Sequence, residues 1–121
     1  MLHSERFLKI VESVQNRVVE ITPEETLAMQ QRGEGVLLID TREDTEWEAG
    51  HIAGAIHIGK GVIERDIEKT APDSATPMIL YCGGGFRSAL AADALQQMGY
   101  TNVRSMSEGW RGWNNRGYPV E

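Results

Sequence analysis

The only cysteine of this 121-residue chain lies in the one segment whose residue types favour nucleophilic chemistry. An apolar run over residues 78–81 leads directly to Cys82, glycines occupy positions 83–85, and an alanine-rich stretch with helical spacing begins at Ser88. Glycines at positive φ can turn backbone N–H groups inward, and a following helix adds its unpaired N-terminal donors. The segment therefore predicts an anion-binding loop around Cys82 that favours the reactive thiolate. A lone cysteine at a strand end can also be a simple buried hydrophobe.

Two arginines and an aspartate accompany the cysteine. Arg87 follows Cys82 after four residues, and its guanidinium can offer two hydrogen bonds to an oxyanion or form a structural salt bridge. The sequence leaves both roles open. Asp40 and Arg42 either shape the floor of the same pocket or pair with each other, and we expect a supporting role for them.

The elements that must position these residues follow from apolar patterning. Five apolar runs predict strands at residues 18–21, 36–39, 55–58, 78–81 and 102–106. Amphipathic segments between them predict helices, so the pattern indicates an α/β fold with a mainly parallel sheet and right-handed crossovers. Ligands of such sheets bind beyond the carboxyl ends of the strands, which is where Asp40 and Cys82 are expected.

Residues 1–17 predict an amphipathic helical extension that precedes a domain at residues 18–121. Ser4 can cap this helix. Its apolar stripe has helical spacing and consists of Phe7, Ile10, Val11 and Val14. We expect the stripe to pack on the domain.

Composition limits the function classes. The net charge of −6 argues against nucleic acid as a partner, and no stretch is long enough to span a membrane. One cysteine excludes an internal disulfide, and the charged N-terminal segment lacks the apolar core of a secretory signal, so we expect a cytoplasmic protein. His51 and His57 have no accompanying ligand cluster, so we expect no metal and no cofactor.

Three segments in order resemble the single-domain rhodaneses, a family of sulfurtransferase modules, over residues 18–121. These segments are Asp40-Thr41-Arg42-Glu43 with Glu46 and residues 50–58, the loop at residues 81–88, and Glu108-Gly109-Trp110 with Trp113 and residues 117–121. The family more often has glycine at the first position of the third motif, and Glu108 departs from that pattern.

The resemblance implies a three-layer α/β/α fold with a mainly parallel five-stranded sheet. It also implies that Cys82 takes sulfane sulfur from thiosulfate or a persulfide and passes it, as a cysteine persulfide, to a thiophilic acceptor such as cyanide or a thiol. The partners would be small-molecule donors and acceptors, or a protein persulfide donor. The residues implied to bind the substrate are Gly83, Gly84, Gly85, Phe86, Arg87 and Ser88.

Two other functions fit parts of the pattern. Cysteine phosphatases and arsenate reductases of related fold resemble this loop but enclose five residues, whereas four separate Cys82 from Arg87. The shorter loop favours sulfur over phosphate. A non-catalytic rhodanese-like binding module is the second alternative, and such relatives typically lack the cysteine. The natural donor and acceptor cannot be predicted, because three glycines contribute amides but no side chains.

Overall fold

The computed structural model describes residues 3–121, which form six α-helices and one five-stranded sheet. The strands are β1 (Val19–Ile21), β2 (Leu37–Asp40), β3 (Ile56–His57), β4 (Met78–Tyr81) and β5 (Val103–Met106). The helices are α1 (Glu5–Gln15), α2 (Pro23–Gln31), α3 (Asp44–Glu48), α4 (Ile63–Thr70), α5 (Phe86–Gln97) and α6 (Gly109–Asn115), with a 3-10 turn at Lys60–Val62. All strand pairs are parallel, in the order β1-β5-β4-β2-β3. The predicted α/β fold with a parallel five-stranded sheet is confirmed.

Both faces of the sheet are covered, as the continuous apolar runs of its strands require. In β4, Met78 and Leu80 belong to a core shared with helices α1, α4 and α5, whereas Ile79 and Tyr81 belong to a second core with Trp113 of α6. Adjacent strand residues point to opposite faces, so one strand serves both cores. The chain is therefore a three-layer α/β/α structure around β4.

Helix α1 packs on α5 by a narrower face than its apolar stripe predicts. Val11 and Val14 are buried, but Ile10 is 56% exposed, so the prediction that Ile10 belongs to the packed face is wrong. A helix that docks on one neighbouring helix covers only one side of its surface. At the far end of α1, Arg17 donates to the carboxylate of Asp93 on α5 at 2.7 Å.

Parallel register brings the carboxyl ends of β2 and β4 together. Asp40 is paired in register with Tyr81, and the Thr41 N–H donates to the Tyr81 carbonyl at 2.8 Å. Asp40 and Cys82 therefore lie at the same edge of the sheet, as predicted for ligand sites in this architecture. Over the part of the chain that the structure describes, no helix is both long enough and apolar enough to cross a membrane.

Candidate active site

Cys82 stands between the end of β4 and the start of α5, with its sulfur facing backbone N–H groups. Only 1% of the residue is exposed. The Gly85 N–H donates to Sγ at 3.1 Å and the Ser88 N–H donates at 3.4 Å. Ser88 is in the first turn of α5, so one of the orphan donors of that helix is satisfied by sulfur. Negative charge on Sγ would be stabilised by both contacts.

Only one glycine of the triplet takes a left-handed conformation. Gly85 has φ of +106° and caps α5, which begins at Phe86, two residues before the predicted start. Gly83 and Gly84 do not have positive φ. They are glycines for a different reason, which is space: a Cβ on Gly83 would stand 3.0 Å from the Arg87 guanidinium, and one on Gly84 would overlap Arg111. The expectation of left-handed glycines is therefore wrong for these two positions.

Four further amides of the loop and the first turn of α5 have no acceptor. Among residues 3–121, no hydrogen-bond acceptor is found for the N–H groups of Gly83, Gly84, Phe86 and Arg87. Such orphan donors at the start of a helix are a common setting for bound anions. The loop therefore has donors left over for a ligand after Gly85 and Ser88 have bonded to Sγ.

Two buried hydroxyl groups lie behind the sulfur. Cys82 Sγ and Ser88 Oγ are 3.6 Å apart, and Ser88 Oγ is 2.8 Å from Ser105 Oγ on β5. Both serines are fully buried. As a thiol, Cys82 donates to Ser88; as a thiolate it can only accept, so the Ser88 hydroxyl turns to donate and accepts from Ser105 in return. Ser105 carries no sequence motif, and the sequence analysis missed it.

Arg87 pairs with Glu46 of α3 rather than pointing freely into the pocket. Its Nη1 and Nη2 donate to Oε1 and Oε2 of Glu46 at 2.8 and 3.2 Å. The pKa of Glu46 is lowered, chiefly by these hydrogen bonds, and the pKa of Arg87 is raised by the same pair. The guanidinium thus joins the Cys82 loop to α3 in this structure.

Asp40 and Arg42 form a buried ion pair behind the loop. The Arg42 guanidinium donates to the Asp40 carboxylate at 2.8 Å and to the Gly50 carbonyl at 2.7 Å, and it lies 4.7 Å from the ring centre of Trp110. Neither Asp40 nor Arg42 is among the residues that line the cavity at Cys82. Their geometry ties the end of β2 to the residue 50 turn and to α6.

The N-terminus of α6 packs directly on the loop. The N–H groups of Trp110 and Arg111 donate to the carbonyls of Cys82 and Gly83, at 2.7 and 3.1 Å. Gly109 approaches so closely that a Cβ would overlap the Cys82 carbonyl, and it has φ of +49°. Glu108 has φ of +63°, a left-handed conformation that glycine adopts at little cost. The usual glycine at this position of the motif therefore has a conformational reason, and Glu108 adopts the same conformation.

A cavity of about 890 Å³ opens at the cysteine. It is lined by His3, Ser4, Phe7, Glu43, Glu46, Cys82, Gly84, Phe86, Arg87 and Arg111. Arg111 and the N-terminal residues were not predicted as site residues. Arg111 is an isolated charge within a tryptophan and glycine motif, and no sequence signal shows that α6 returns to the loop.

The two histidines considered as ligands make packing contacts. His51 stacks on Trp47 with ring centres 3.5 Å apart, and Nε2 of His57 is 2.7 Å from the Arg42 carbonyl. Among the described residues there is no cluster of three or more histidine, cysteine or acidic side chains that could hold a metal ion.

Comparison with known proteins identifies the family of the chain. The family model of the rhodanese-like domain matches residues 22–116. The chain therefore belongs to the rhodanese-like domain family.

Individual relatives carry more specific names. The chain is 35% identical to thiosulfate sulfurtransferase GlpE of Pseudomonas entomophila (strain L48) over 101 residues, covering 84% of this chain and 88% of the relative. It is 33% identical over 102 residues to thiosulfate sulfurtransferase GlpE of Haemophilus influenzae (strain PittEE), covering 84% and 93%. A solved structure from Rhodopseudomonas palustris, described as a protein of unknown function and possible tyrosine phosphatase, superposes with a TM-score of 0.86 at 26% identity, covering 100% of this chain and 98% of the other.

Proposed function

We propose that this protein is a sulfurtransferase that moves sulfane sulfur from thiosulfate or a persulfide to a thiophilic acceptor through a persulfide on Cys82. The observation that carries the proposal is the position of Sγ, which accepts the Gly85 and Ser88 N–H groups at 3.1 and 3.4 Å. Relatives named thiosulfate sulfurtransferase, 33–35% identical to this chain, support thiosulfate as one donor.

The first half-reaction balances without an external oxidant. The Cys82 thiolate attacks the outer sulfur of thiosulfate, a new bond forms between Sγ and that sulfur, and the sulfur–sulfur bond to the sulfonate breaks. Sulfite leaves with the electron pair. The acceptorless amides of Gly83, Gly84, Phe86 and Arg87 are donors suited to the charge on the departing oxyanion and on the outer persulfide sulfur.

The second half-reaction returns the enzyme to its starting state. Cyanide or a thiolate attacks the outer sulfur, takes it as thiocyanate or as a new persulfide, and the bond to Sγ breaks with its electrons on Cys82. The loop amides that held the persulfide then stabilise the thiolate leaving group. The same donors therefore serve both halves of the cycle.

Phosphate-ester hydrolysis is the competing chemistry, because one structurally similar protein is described as a possible tyrosine phosphatase. Four residues separate Cys82 from Arg87, and the guanidinium of Arg87 is held by the carboxylate of Glu46. A phosphate dianion at this loop would have to compete with that carboxylate for the arginine. The geometry favours sulfur transfer.

A donor panel with intact-mass detection tests the proposal. Wild-type protein treated with thiosulfate is expected to gain the mass of one sulfur atom, and cyanide or dithiothreitol should remove it. Cys82→Ser is expected to abolish both the mass gain and turnover, with little change in melting temperature. Hydrolysis of p-nitrophenyl phosphate serves as the matched control reaction. Wild-type turnover by the serine variant, or efficient phosphatase activity with no mass gain, would contradict the proposal.

A further inference from the structure

Helix α1 and the segment before it form one wall of the cavity that contains Cys82. The rings of His3, Phe7 and Phe86 cluster there, with centres 5.2 Å apart for His3 and Phe7, 5.1 Å for His3 and Phe86, and 6.2 Å for Phe7 and Phe86. All three side chains are half-buried and line the cavity. Aromatic rings that pack on one another while remaining partly open offer a largely apolar surface to a ligand.

This aromatic wall is anchored to the element that carries the reactive loop. Val11 and Val14 bury α1 against α5, and Arg17 binds the Asp93 carboxylate at 2.7 Å. Phe86 is itself the first residue of α5. The family model begins at residue 22, so α1 lies outside the part of the chain that the model matches. Two of the three ring residues, His3 and Phe7, therefore lie outside the matched domain, and the family motifs do not predict them.

Arg111 supplies a cation to the same cavity. Its guanidinium lies over Gly84, close enough to overlap a Cβ at that position. Over residues 3–121 it has no carboxylate partner, whereas Arg87 is bound to Glu46. Arg111 is therefore the cavity guanidinium that is free to form paired hydrogen bonds with an anion.

The cavity has the dimensions of a site for an organic ligand. Its volume of about 890 Å³ lies within the usual range for small-molecule pockets. Thiosulfate has no apolar group that could contact the aromatic wall. We propose that the cavity binds an organic thiosulfonate as sulfur donor, whose apolar group lies against His3, Phe7 and Phe86 and whose sulfonyl oxygens, which leave as sulfinate, bind Arg111. This assignment rests on the sulfurtransferase function proposed above.

Alkylation of Cys82 tests the binding surface without requiring sulfur transfer. Iodoacetamide is small and neutral, and iodoacetanilide adds a phenyl ring to the same electrophile. The ratio of the two rates cancels any change in the reactivity of the sulfur itself. Phe7→Ala is expected to lower the anilide-to-amide ratio about three- to tenfold, the effect of losing one aromatic contact. Ile10→Ala, on the same helix but 56% exposed, is the matched control and should leave the ratio unchanged.

The anion-binding position at Arg111 is tested with a third reagent. Iodoacetate carries a carboxylate, so Arg111→Gln is expected to lower the iodoacetate-to-iodoacetamide ratio about fivefold or more. Arg65→Gln removes an equal charge from an exposed arginine paired with Asp66 and is the control. If Phe7→Ala does not fold, Phe7→Leu keeps apolar volume without the ring. Ratios that equal those of the wild type in the Phe7 and Arg111 variants would overturn the proposal.

Turnover with two thiosulfonates links the surface to catalysis. Benzenethiosulfonate and methanethiosulfonate share the reacting anion and differ in the ring. In both, the Cys82 thiolate attacks the outer sulfur, the bond to the sulfonyl sulfur breaks, and a sulfinate leaves with the electron pair. We expect the wild type to favour the benzene compound in kcat/KM, and Phe7→Ala to lose that preference. If the alkylation ratios change in the variants as expected but no donor is turned over, the proposed function alone is contradicted. If thiosulfate is turned over but the ratios in the variants equal those of the wild type, the organic-donor site alone is contradicted.

Discussion

Glu46 and Arg87 are joined by two hydrogen bonds, of 2.8 and 3.2 Å, although 41 positions separate them in the chain. The pair connects α3 to the reactive loop. The Glu46 carboxylate also accepts from both terminal nitrogens of the Arg87 guanidinium. An incoming oxyanion therefore meets an arginine whose charge is already balanced. The loop amides and Arg111 are then the donors that are open to an anion.

The Glu46–Arg87 pair has a defined pH dependence. The hydrogen bonds from Arg87 lower the pKa of Glu46 below its ordinary value of 4.5, so the pair contributes stability above that value and loses it as the pH falls through the lowered pKa. Because the Glu46 side chain is 36% exposed, we expect Glu46→Gln to reduce the free energy of unfolding at pH 7 by less than about 1 kcal/mol. Urea unfolding of both proteins at pH 7, 5 and 3 measures this. A difference that is equal at every pH would contradict the assignment.

Gly84→Ala is expected to affect substrate binding more than stability. Gly84 has no positive φ, and the only obstacle to a Cβ is the flexible Arg111 side chain, which can move aside. We expect a rise in KM for thiosulfate with a stability change within about 0.5 kcal/mol. Gly85→Ala is the matched comparison, because its φ of +106° should make alanine cost about 1–2 kcal/mol. Equal stability losses in the two variants would disprove this distinction.

Ser105→Ala tests the buried hydroxyl pair behind the sulfur. Ser88 Oγ is 2.8 Å from Ser105 Oγ, and loss of one partner in a fully buried pair should cost about 1–2 kcal/mol of stability. We also expect slower alkylation of Cys82 by iodoacetamide at neutral pH, because the Ser88 hydroxyl loses the hydrogen bond that it accepts from Ser105 when it donates to the thiolate. Ser107→Ala, at a hydroxyl that donates to the Ile21 carbonyl, is the control. A destabilised Ser105 variant with the wild-type alkylation rate would show that the pair is only structural.

Asp40→Ala is expected to damage folding rather than chemistry. Asp40 is fully buried and the Arg42 side chain is 4% exposed, so removing the carboxylate leaves a buried cation and should cost about 3–5 kcal/mol. Asp40→Leu combined with Arg42→Met should recover much of that loss. Thermal unfolding gives the stabilities, and turnover is compared at a temperature where each variant is folded. Loss of kcat in a fully folded variant would assign Asp40 a direct part in the reaction.

The sheet and the cysteine loop were predictable because both depend on local pattern. The continuous apolar run of β4 requires a strand covered on both faces, and a cysteine and glycines between that strand and a helix can only form a tight loop. Apolar runs predicted the five strands, and the family resemblance implied that they form one sheet. The left-handed conformation of Glu108 was not predictable from the sequence. Its φ of +63° is visible only once α6 is placed against the loop.

The side chains that shape the cavity could not be predicted from the sequence. Phe7 shares a helical stripe with Val11, and periodicity alone cannot show that Val11 enters the core while Phe7 meets Phe86. Arg111 is brought over Gly84 by the docking of α6, a contact between segments far apart in the chain. Tertiary contacts of this kind depend on how elements meet, and pattern within an element carries little information about them.

The buried position of the single thiol has a kinetic consequence. A sulfur atom bound to Cys82 has no second cysteine within these 121 residues to which it could be handed, so no internal disulfide can release it. Only 1% of Cys82 is exposed, and a thiol that approaches it through the cavity must fit the residues that line it. The persulfide form of the protein would then keep its single transferable sulfur atom until an acceptor that fits the cavity arrives.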